Sequence, residues 1–251
     1  MFEVNSLTHT NRYFADKLSW LDIFRPIQYF SYRGDVKTIP WFYKVTKGTS
    51  CQTDLTASMD DIFLLMKSNT RNEIRRAQRE NIEFALVDNP DEFISYYNAF
   101  CVSKGLKDFC SRARLAKFGE LLMTKAVHGT ETLSMHVNVL NSESKIAFLM
   151  FSCSQRLDGD ADKKKIGWAN RFLHYKELEY LKGMGYTCYD WSGVCTDPNN
   201  PQYSIGQFKL SFGGKMVDSI VLRTPLFCLL NLVRKFFFSV RMCGSNLMKR
   251  N

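Results

Sequence analysis

The sequence GYTCYDWSGV at residues 185–194, followed by YSIGQFKLSFGGKMV at residues 203–217, decides the fold that we predict for this chain. The aromatic residues at 186–191 indicate a strand, and the glycines just before it are typical of a helix end. FKLSFGG is predicted to be a short helical piece, and residues 216–222 a last strand. Helices and strands therefore alternate along this part of the chain.

The residues before this stretch continue the same alternation. NPDE at residues 89–92 combines an N-cap, a proline at the first helical position and an acidic first turn, which predicts a helix to about Ser103. A second helix is predicted after Ser111, with Leu115, Phe118 and Leu122 on one face. The apolar alternation over residues 133–139 indicates a strand with one polar face, and the apolar run 146–151 a central buried strand.

The first ninety residues mix short elements. Strands are predicted at 27–32 and 41–45 and a helix at 59–67, and Thr70 with Glu73 reads as a capping box that starts another helix. Together with a helix at about 171–182, these elements predict an α/β or α+β fold around a mixed sheet.

Charge and cysteine content narrow the functional classes. The net charge of +9 favours anionic partners, or marks a generally basic surface. The eight cysteines form no CxxC pair, and the four histidines do not stand at ligand spacing with them. We expect reduced thiols, a cytoplasmic location and no metal site.

The last residues, 225–251, carry an apolar helical stripe that includes Leu226, Leu229, Leu230 and Val233. Two interpretations stay open. The stripe docks a C-terminal helix on the domain, or it makes a peripheral membrane contact.

Three segments resemble one family. TRNEIRRAQRENIEF at residues 70–84, GYTCYDWSGV and YSIGQFKLSFGGKMV are similar, in order and spacing, to the basic helix and closing signature of Fem-type aminoacyltransferases, which are GNAT-related. The resemblance implies two GNAT-like domains with mixed sheets. We assign them to residues 1–90, the more degenerate one, and 91–224, followed by the C-terminal tail.

The resemblance also implies the reaction, which is acyl transfer to an amine. Residues 84–141 lack the sustained heptads of the coiled-coil arm that longer members carry in association with transfer RNA. Shorter relatives imply acyl-CoA as co-substrate and a nucleotide-linked amino sugar as acceptor, in lipopolysaccharide or other surface-polysaccharide synthesis, with no stable nucleic acid partner. The alternatives are a tRNA-dependent aminoacyl ligase acting on peptidoglycan precursors, and a non-catalytic module that binds nucleic acid or membrane.

A GNAT-type site places the donor pyrophosphate at a helix N-terminus beyond two splayed strands. The stretch just before the predicted 171–182 helix fits that position, although the usual glycine-rich loop is absent and its residues also suit a turn and a helix cap. The cofactor-binding candidates are Gly167, Trp168, Asn170, Arg171 and Phe172.

The catalytic candidates are Lys209, Asp190 and His136. Lys209, in FKLSFGG, matches the lysine of the family's motif, and we predict that it stabilises negative charge at the thioester or a phosphate, or else is a surface lysine on an amphipathic segment. Asp190 is predicted to orient the amine or accept its proton, or else to fix the Ser192–Gly193 turn, and His136 is a second candidate base. For substrate binding we select Arg71 and Arg75, four residues apart on a helix, which otherwise form a solvated face. We also select Trp191 and Tyr203, which could stack on a nucleotide or sugar or else belong to the core.

Overall fold

The computed structural model describes residues 1–154 and 163–234, which form two compact units. The first contains Met1–Gly48 and the described residues from Ser219 onward, and the second is Thr49–Asp218. The predicted boundary after residue 90 lies inside the second unit, because the helix at Ser68–Arg79 packs against the helix at Lys163–Gly183.

The first unit is built on four strands: β1 (Phe2–Asn5), β2 (Thr10–Tyr13), β3 (Ile27–Phe30) and the end of β10 (Lys215–Arg223). β1 and β2 are antiparallel, β2 and β3 are parallel, and β10 pairs antiparallel with β3. Its core contains Ile27, Tyr29, Tyr43 and Leu222.

The second unit contains a six-stranded mixed sheet in the order β4-β9-β8-β7-β6-β5. All neighbours are antiparallel except β8 and β9, which are parallel. The strands are β4 (Lys44–Asp54), β5 (Glu83–Leu86), β6 (Leu121–His128), β7 (Glu131–Asn141), β8 (Ile146–Ser154) and β9 (Cys188–Gly193).

Helix α5, which connects β8 to β9, packs on β6 and β7 and against α2. The apolar core of this unit lies where these elements meet. Its helices are α1 (Met59–Leu65), α2 (Ser68–Arg79), α3 (Pro90–Ser103), α4 (Arg112–Leu115), α5 (Lys163–Gly183) and α6 (Tyr203–Leu210).

The predicted α/β class with a mixed sheet is confirmed, and so are α3 and the strands over 133–139 and 146–151. The helix predicted to carry Leu122 is wrong. The chain makes only α4 and a 3-10 turn at Ala116–Phe118, because Gly119 turns it at φ +76°. Leu122, Thr124 and Ala126 then alternate inward along β6.

The predicted start of a helix at Arg171 is also wrong, because α5 is already formed at Lys163. Ile166, Ala169 and Leu173 are buried at helical spacing. Burial of this apolar stripe stabilises helical structure before Arg171, so α5 begins earlier than predicted. Ile166 and the residues after it therefore belong to the body of α5.

The predicted Thr70–Glu73 capping box does not form, because α2 starts at Ser68. Thr70 Oγ1 instead donates to Ser211 Oγ at 2.9 Å, and Glu73 forms an ion pair with Arg171 at 2.8 Å. Both side chains thus link α2 to other elements.

Residues 225–234 are helical, with Phe227 buried and Leu229, Leu230 and Val233 exposed. The remainder of the predicted C-terminal stripe lies outside the described residues. Within the described ranges, no helix is long and apolar enough to cross a bilayer.

Gly213 provides a test of this packing. It has a φ of +77°, and a Cβ there would lie 2.6 Å from the carbonyl oxygen of Leu65. We expect Gly213→Ala to lower the free energy of unfolding by more than about 2 kcal/mol, because a backbone clash adds to the strain of the left-handed conformation.

The matched control is Gly129→Ala, at φ +59° with no atom within 4 Å of the added Cβ. It should show only the conformational strain, about 1 kcal/mol. Urea unfolding of both variants measures the difference, and equal losses would contradict the close contact.

Candidate active site

The parallel strands β8 and β9 pair only at their beginning. Their register holds Ile146 opposite Cys188, Ala147 opposite Tyr189 and Phe148 opposite Asp190, and ends there within the described chain. Farther on, β8 pairs with β7 and β9 pairs with β4. β8 thus stays paired with β7 and β9 with β4 while β8 and β9 separate from each other. We call the space between them after Phe148 and Asp190 the β8–β9 gap.

Asp190 lies where this gap begins and is fully buried. Its Oδ1 accepts hydrogen bonds from Ser50 Oγ at 2.6 Å and from the Ser192 N–H at 2.8 Å, and its Oδ2 accepts one from Gln52 Nε2 at 2.7 Å. Ser192 has a φ of +71°, which is uncommon outside glycine. The carboxylate therefore holds β4 and the turn after Trp191 in place.

Lys209, on α6, reaches the same turn. Its Nζ donates to the carbonyl oxygen of Gly193 at 2.9 Å. Burial lowers the pKa of Lys209, and the nearby charge of Asp190 opposes that shift. α6 comes this close because Gly206 has no side chain, since a Cβ there would lie 2.8 Å from the Cys195 carbonyl oxygen. The structure thus brings the two predicted residues, Asp190 and Lys209, to opposite ends of one short turn.

A second group of polar residues is buried between α5 and the sheet, around Glu177. Glu177 Oε2 lies 3.0 Å from His136 Nδ1, 3.3 Å from His174 Nδ1 and 3.3 Å from the Tyr189 hydroxyl. Its Oε1 accepts from Thr124 Oγ1 and, at 3.0 Å, from the side-chain amide of Asn138. This cluster comprises Thr124, His136, Asn138, Asn170, His174, Glu177 and Tyr189.

The cluster has a defined charge arrangement. Burial alone would raise the pKa of Glu177, but the attraction of His136 and the hydrogen bonds from His136 and His174 outweigh burial and lower it well below its usual value. Burial lowers the pKa of His174 to about 3, and His136 adds to this shift. Glu177 is therefore an anion and His174 is neutral near neutral pH.

His136, His174 and Glu177 place their ligand atoms within 4.8 Å of one another, which is a spacing that could suit a metal ion. The two imidazole rings are stacked, however, with centroids 4.0 Å apart and planes 26° apart. A metal ion lies in the plane of each imidazole that binds it, so two stacked rings cannot share one ion without rotating. The arrangement is that of a hydrogen-bonded network.

The predicted base His136 and the predicted stacking residue Trp191 are both enclosed in the core. His136 is fully buried, with Nε2 2.9 Å from Asn170 Oδ1 and Nδ1 bonded to Glu177, which argues against its predicted role as a base. Trp191 is also fully buried, and its Nε1 donates to Thr53 Oγ1 at 2.9 Å. Its ring packs on Phe212 and is not placed to stack on a substrate.

The predicted cofactor-binding residues lie in the body of α5, so their backbone N–H groups do not form a helix N-terminus. Gly167 and Phe172 are buried, and Asn170 bonds to His136. Arg171 pairs with Glu73, and the guanidinium of Arg76 lies over the Trp168 ring. These contacts contradict the predicted pyrophosphate site.

The predicted substrate-binding arginines differ from each other. Arg71 Nη1 donates to the carbonyl oxygens of Leu64 at 2.7 Å and Met66 at 2.8 Å, so it closes the end of α1. Arg75 is exposed, with its guanidinium 5.1 Å from the centre of the Phe63 ring. Tyr203 is half-buried at the first residue of α6. Arg75 and Tyr203 remain candidates for binding.

The sequence interpretation missed Ser50, Gln52, His174 and Glu177. Ser50 and Gln52 lie on either side of the buried Cys51, and residues two apart share one face of a strand. That spacing is the sequence feature that could have indicated the first pair. His174 and Glu177 share one face of α5 at a spacing of three residues, among buried apolar residues on that face.

Solved structures share this fold. FemX superposes with a TM-score of 0.63 at 11% identity, over 92% of this chain and 84% of FemX. The C-terminal domain of a protein titled as a lysylphosphatidylglycerol synthetase, from Agrobacterium fabrum, gives 0.62 at 12% identity, over 92% of this chain and 82% of that one. The chain has a FemX-like fold.

L-PGS from Bacillus licheniformis shares the fold too, with a TM-score of 0.57 at 12% identity over 88% of this chain and 79% of L-PGS. No protein-family model and no curated protein matches the sequence. The predicted α/β fold is thus shared with FemX, and the GNAT-type assignment stays a prediction.

The Glu177 cluster predicts how stability depends on pH. The pKa of His174 is lower in the folded chain than its ordinary value of 6.5. Below pH 6.5 the unfolded chain therefore binds a proton at His174 that the folded chain does not bind. Stability should therefore fall as the pH is lowered through 6.5, by up to about 1.4 kcal/mol per pH unit from this residue.

His174→Gln should flatten this dependence in urea unfolding measured between pH 5 and 7. His128→Gln is the control, because His128 is half-buried outside the cluster. An unchanged slope in His174→Gln would show that His174 does not titrate as described.

Proposed function

We propose that this protein is an acyl- or aminoacyltransferase that holds the carbonyl of an activated donor in the β8–β9 gap. The observation that carries the proposal is the parallel strand pair that ends at Phe148 and Asp190, with Lys209 fixed beside the same turn. Within residues 1–154 and 163–234, no strand pairing crosses the gap beyond Phe148 and Asp190, and the backbone N–H and C=O groups on its two sides suit an extended donor arm. The FemX-like fold supports this choice, since Fem-type proteins, which the sequence resembles, transfer aminoacyl groups.

The transfer forms one bond and breaks another. The amine nitrogen attacks the carbonyl carbon, a C–N bond forms, and the bond to the leaving sulfur or oxygen breaks, while the amine gives up a proton to water. Negative charge develops on the carbonyl oxygen and then on the leaving atom. The Lys209 ammonium stabilises that charge from the end of the gap.

Asp190 acts as a positioning residue in this proposal. Its two oxygens already accept three hydrogen bonds, so it is committed to Ser50, Gln52 and the Ser192 turn. By fixing that turn it fixes the carbonyl oxygen of Gly193, to which Lys209 donates. The catalytic cation is thereby held at a defined position relative to the gap.

For the substrates, we propose acyl-CoA as donor and the amine of a nucleotide-linked amino sugar as acceptor, in surface-polysaccharide synthesis in the cytoplasm. Both substrates carry phosphates, which suits the net charge of +9 and the exposed Arg75 and Arg79 on one face of α2. The absence of coiled-coil heptads in residues 84–141 favours this donor over a transfer RNA.

A second candidate is aminoacyl transfer from a charged transfer RNA. The observation in its favour is the fold shared with FemX and with the lysylphosphatidylglycerol synthetase domain. In this reaction the leaving atom is a ribose oxygen instead of a sulfur, and the role proposed for Lys209 is the same.

Lys209 should be required for turnover. Lys209→Met removes the cation but keeps most of the side-chain volume, and we expect kcat to fall on the order of 100-fold with the fold retained. Asp190→Asn should lower kcat less, because the donors around it keep part of their bonding. Circular dichroism checks folding, and Lys176→Met, on the outer side of α5, is the control. Wild-type turnover in Lys209→Met would remove the cation from the mechanism.

The donor is identified by a direct comparison. Free-thiol release is measured with a panel of acyl-CoAs, with and without nucleotide amino sugars, and transfer from charged transfer RNAs is measured in parallel. We expect thiol release that depends on the amino sugar. Transfer from charged RNA alone would support the second candidate, and inactivity with every donor would contradict both.

A further inference from the structure

The first unit exposes large apolar side chains on a short 3-10 turn, Trp20–Phe24. Trp20, Leu21 and Phe24 are 66%, 72% and 77% exposed, and Trp41 on a neighbouring loop is 86% exposed. We call these four residues the aromatic patch. Single exposed apolar residues are common on proteins, but a group with three exposed aromatic rings indicates an interaction surface.

The turn and the loop that carry these side chains lie next to each other. The rings of Trp20 and Trp41 lie 5.4 Å and 6.1 Å from the ring of Phe42, so both tryptophans flank the same buried residue. The hydroxyl of Tyr43 donates to the backbone carbonyl of Ser19 at 3.2 Å and ties the loop to the turn. Trp20 therefore neighbours the loop of Trp41, and Leu21 and Phe24 belong to the same turn as Trp20.

The turn is fixed by its acidic residue. That residue is buried while apolar side chains are exposed, which is the reverse of an ordinary surface segment. Asp22, its acidic residue, is buried and accepts hydrogen bonds from Arg12 at 3.0 Å and from the hydroxyl of Tyr29. Ser19 and Asp22 also form a capping box at the start of the turn. The carboxylate thus anchors the turn from inside, and the apolar side chains point to solvent.

The described part of the first unit carries an excess of positive charge. The described residues of the first unit contain nine Lys and Arg against four Asp and Glu, and two of those acids, Glu3 and Asp22, are paired with Arg12. Arg25 follows the turn directly, with its side chain 60% exposed and its Nη1 3.9 Å from Asp22 Oδ1. A second copy of this chain would bring like charges together, whereas an anionic surface would be attracted.

We propose that the aromatic patch docks this protein on an anionic lipid bilayer. Tryptophan and phenylalanine are enriched where headgroups meet acyl chains, because an amphipathic or flat apolar ring is accommodated there. In this docking Trp20, Phe24 and Trp41 enter that boundary and Arg25 faces the lipid phosphates, each nearby basic residue adding to the attraction. The inference is independent of the proposed acyl transfer.

Vesicle flotation of the full chain tests the proposal, using phosphatidylcholine vesicles with and without phosphatidylserine. We expect binding that requires phosphatidylserine and weakens as salt is raised. Phe24→Ser combined with Trp41→Ser should weaken binding on the order of tenfold or more, through the loss of buried apolar area. Both residues are exposed, so the variant should unfold like the wild type.

Val102→Ser is the matched control, because Val102 is an equally exposed apolar residue, 69%, on α3 of the second unit. It should bind vesicles like the wild type. Absence of wild-type binding to anionic vesicles, or unchanged binding by the double variant, would overturn the proposal. A wild-type dimer that the double variant converts to a monomer, without vesicle binding, would assign the patch to a second copy and overturn it as well.

Discussion

The second unit depends on one buried anion, the carboxylate of Glu177. It receives hydrogen bonds from side chains on β6, β7, β9 and its own helix, so it fixes α5 across three strands of the sheet. Removing one member of such a buried charged network costs about 3–5 kcal/mol, because the partners are left without a counterpart. The network also holds His136 and His174, which are hydrogen-bonding partners of Glu177.

A fixed α5 has a consequence for the β8–β9 gap. The helix connects β8 to β9, and these strands separate after Phe148 and Asp190 although both belong to one sheet. The opening persists because each strand keeps its outer neighbour and because Asp190 ties β9 to β4 through Ser50 and Gln52. Because β7 and β4 hold the two strands from outside, the gap can accept a ligand while the sheet stays intact. Catalysis by charged groups held at fixed positions requires such rigid support.

Local sequence patterns predict the features that neighbouring residues determine, such as the start of a helix. The N-cap at Asn89, whose side chain accepts from the Asp91 N–H, predicts the start of α3. A motif points to Asp190 and Lys209, whose roles in catalysis stay predictions. Features that depend on long-range packing could not be predicted from local patterns. Alternation placed His136 on the polar face of β7 but could not show that α5 covers that face, and Ser50 bonds to a residue 140 positions away. No pattern within one sequence encodes such a pairing.

The central claim is that a donor lies between β8 and β9, and hydrogen exchange measured with and without that donor tests it most directly. Bound donor should slow the exchange of backbone amides at residues 149–154 and 191–193, and leave the edge strand β5 unchanged. Slowed exchange confined to other parts of the chain, under conditions where turnover is seen, would contradict the account.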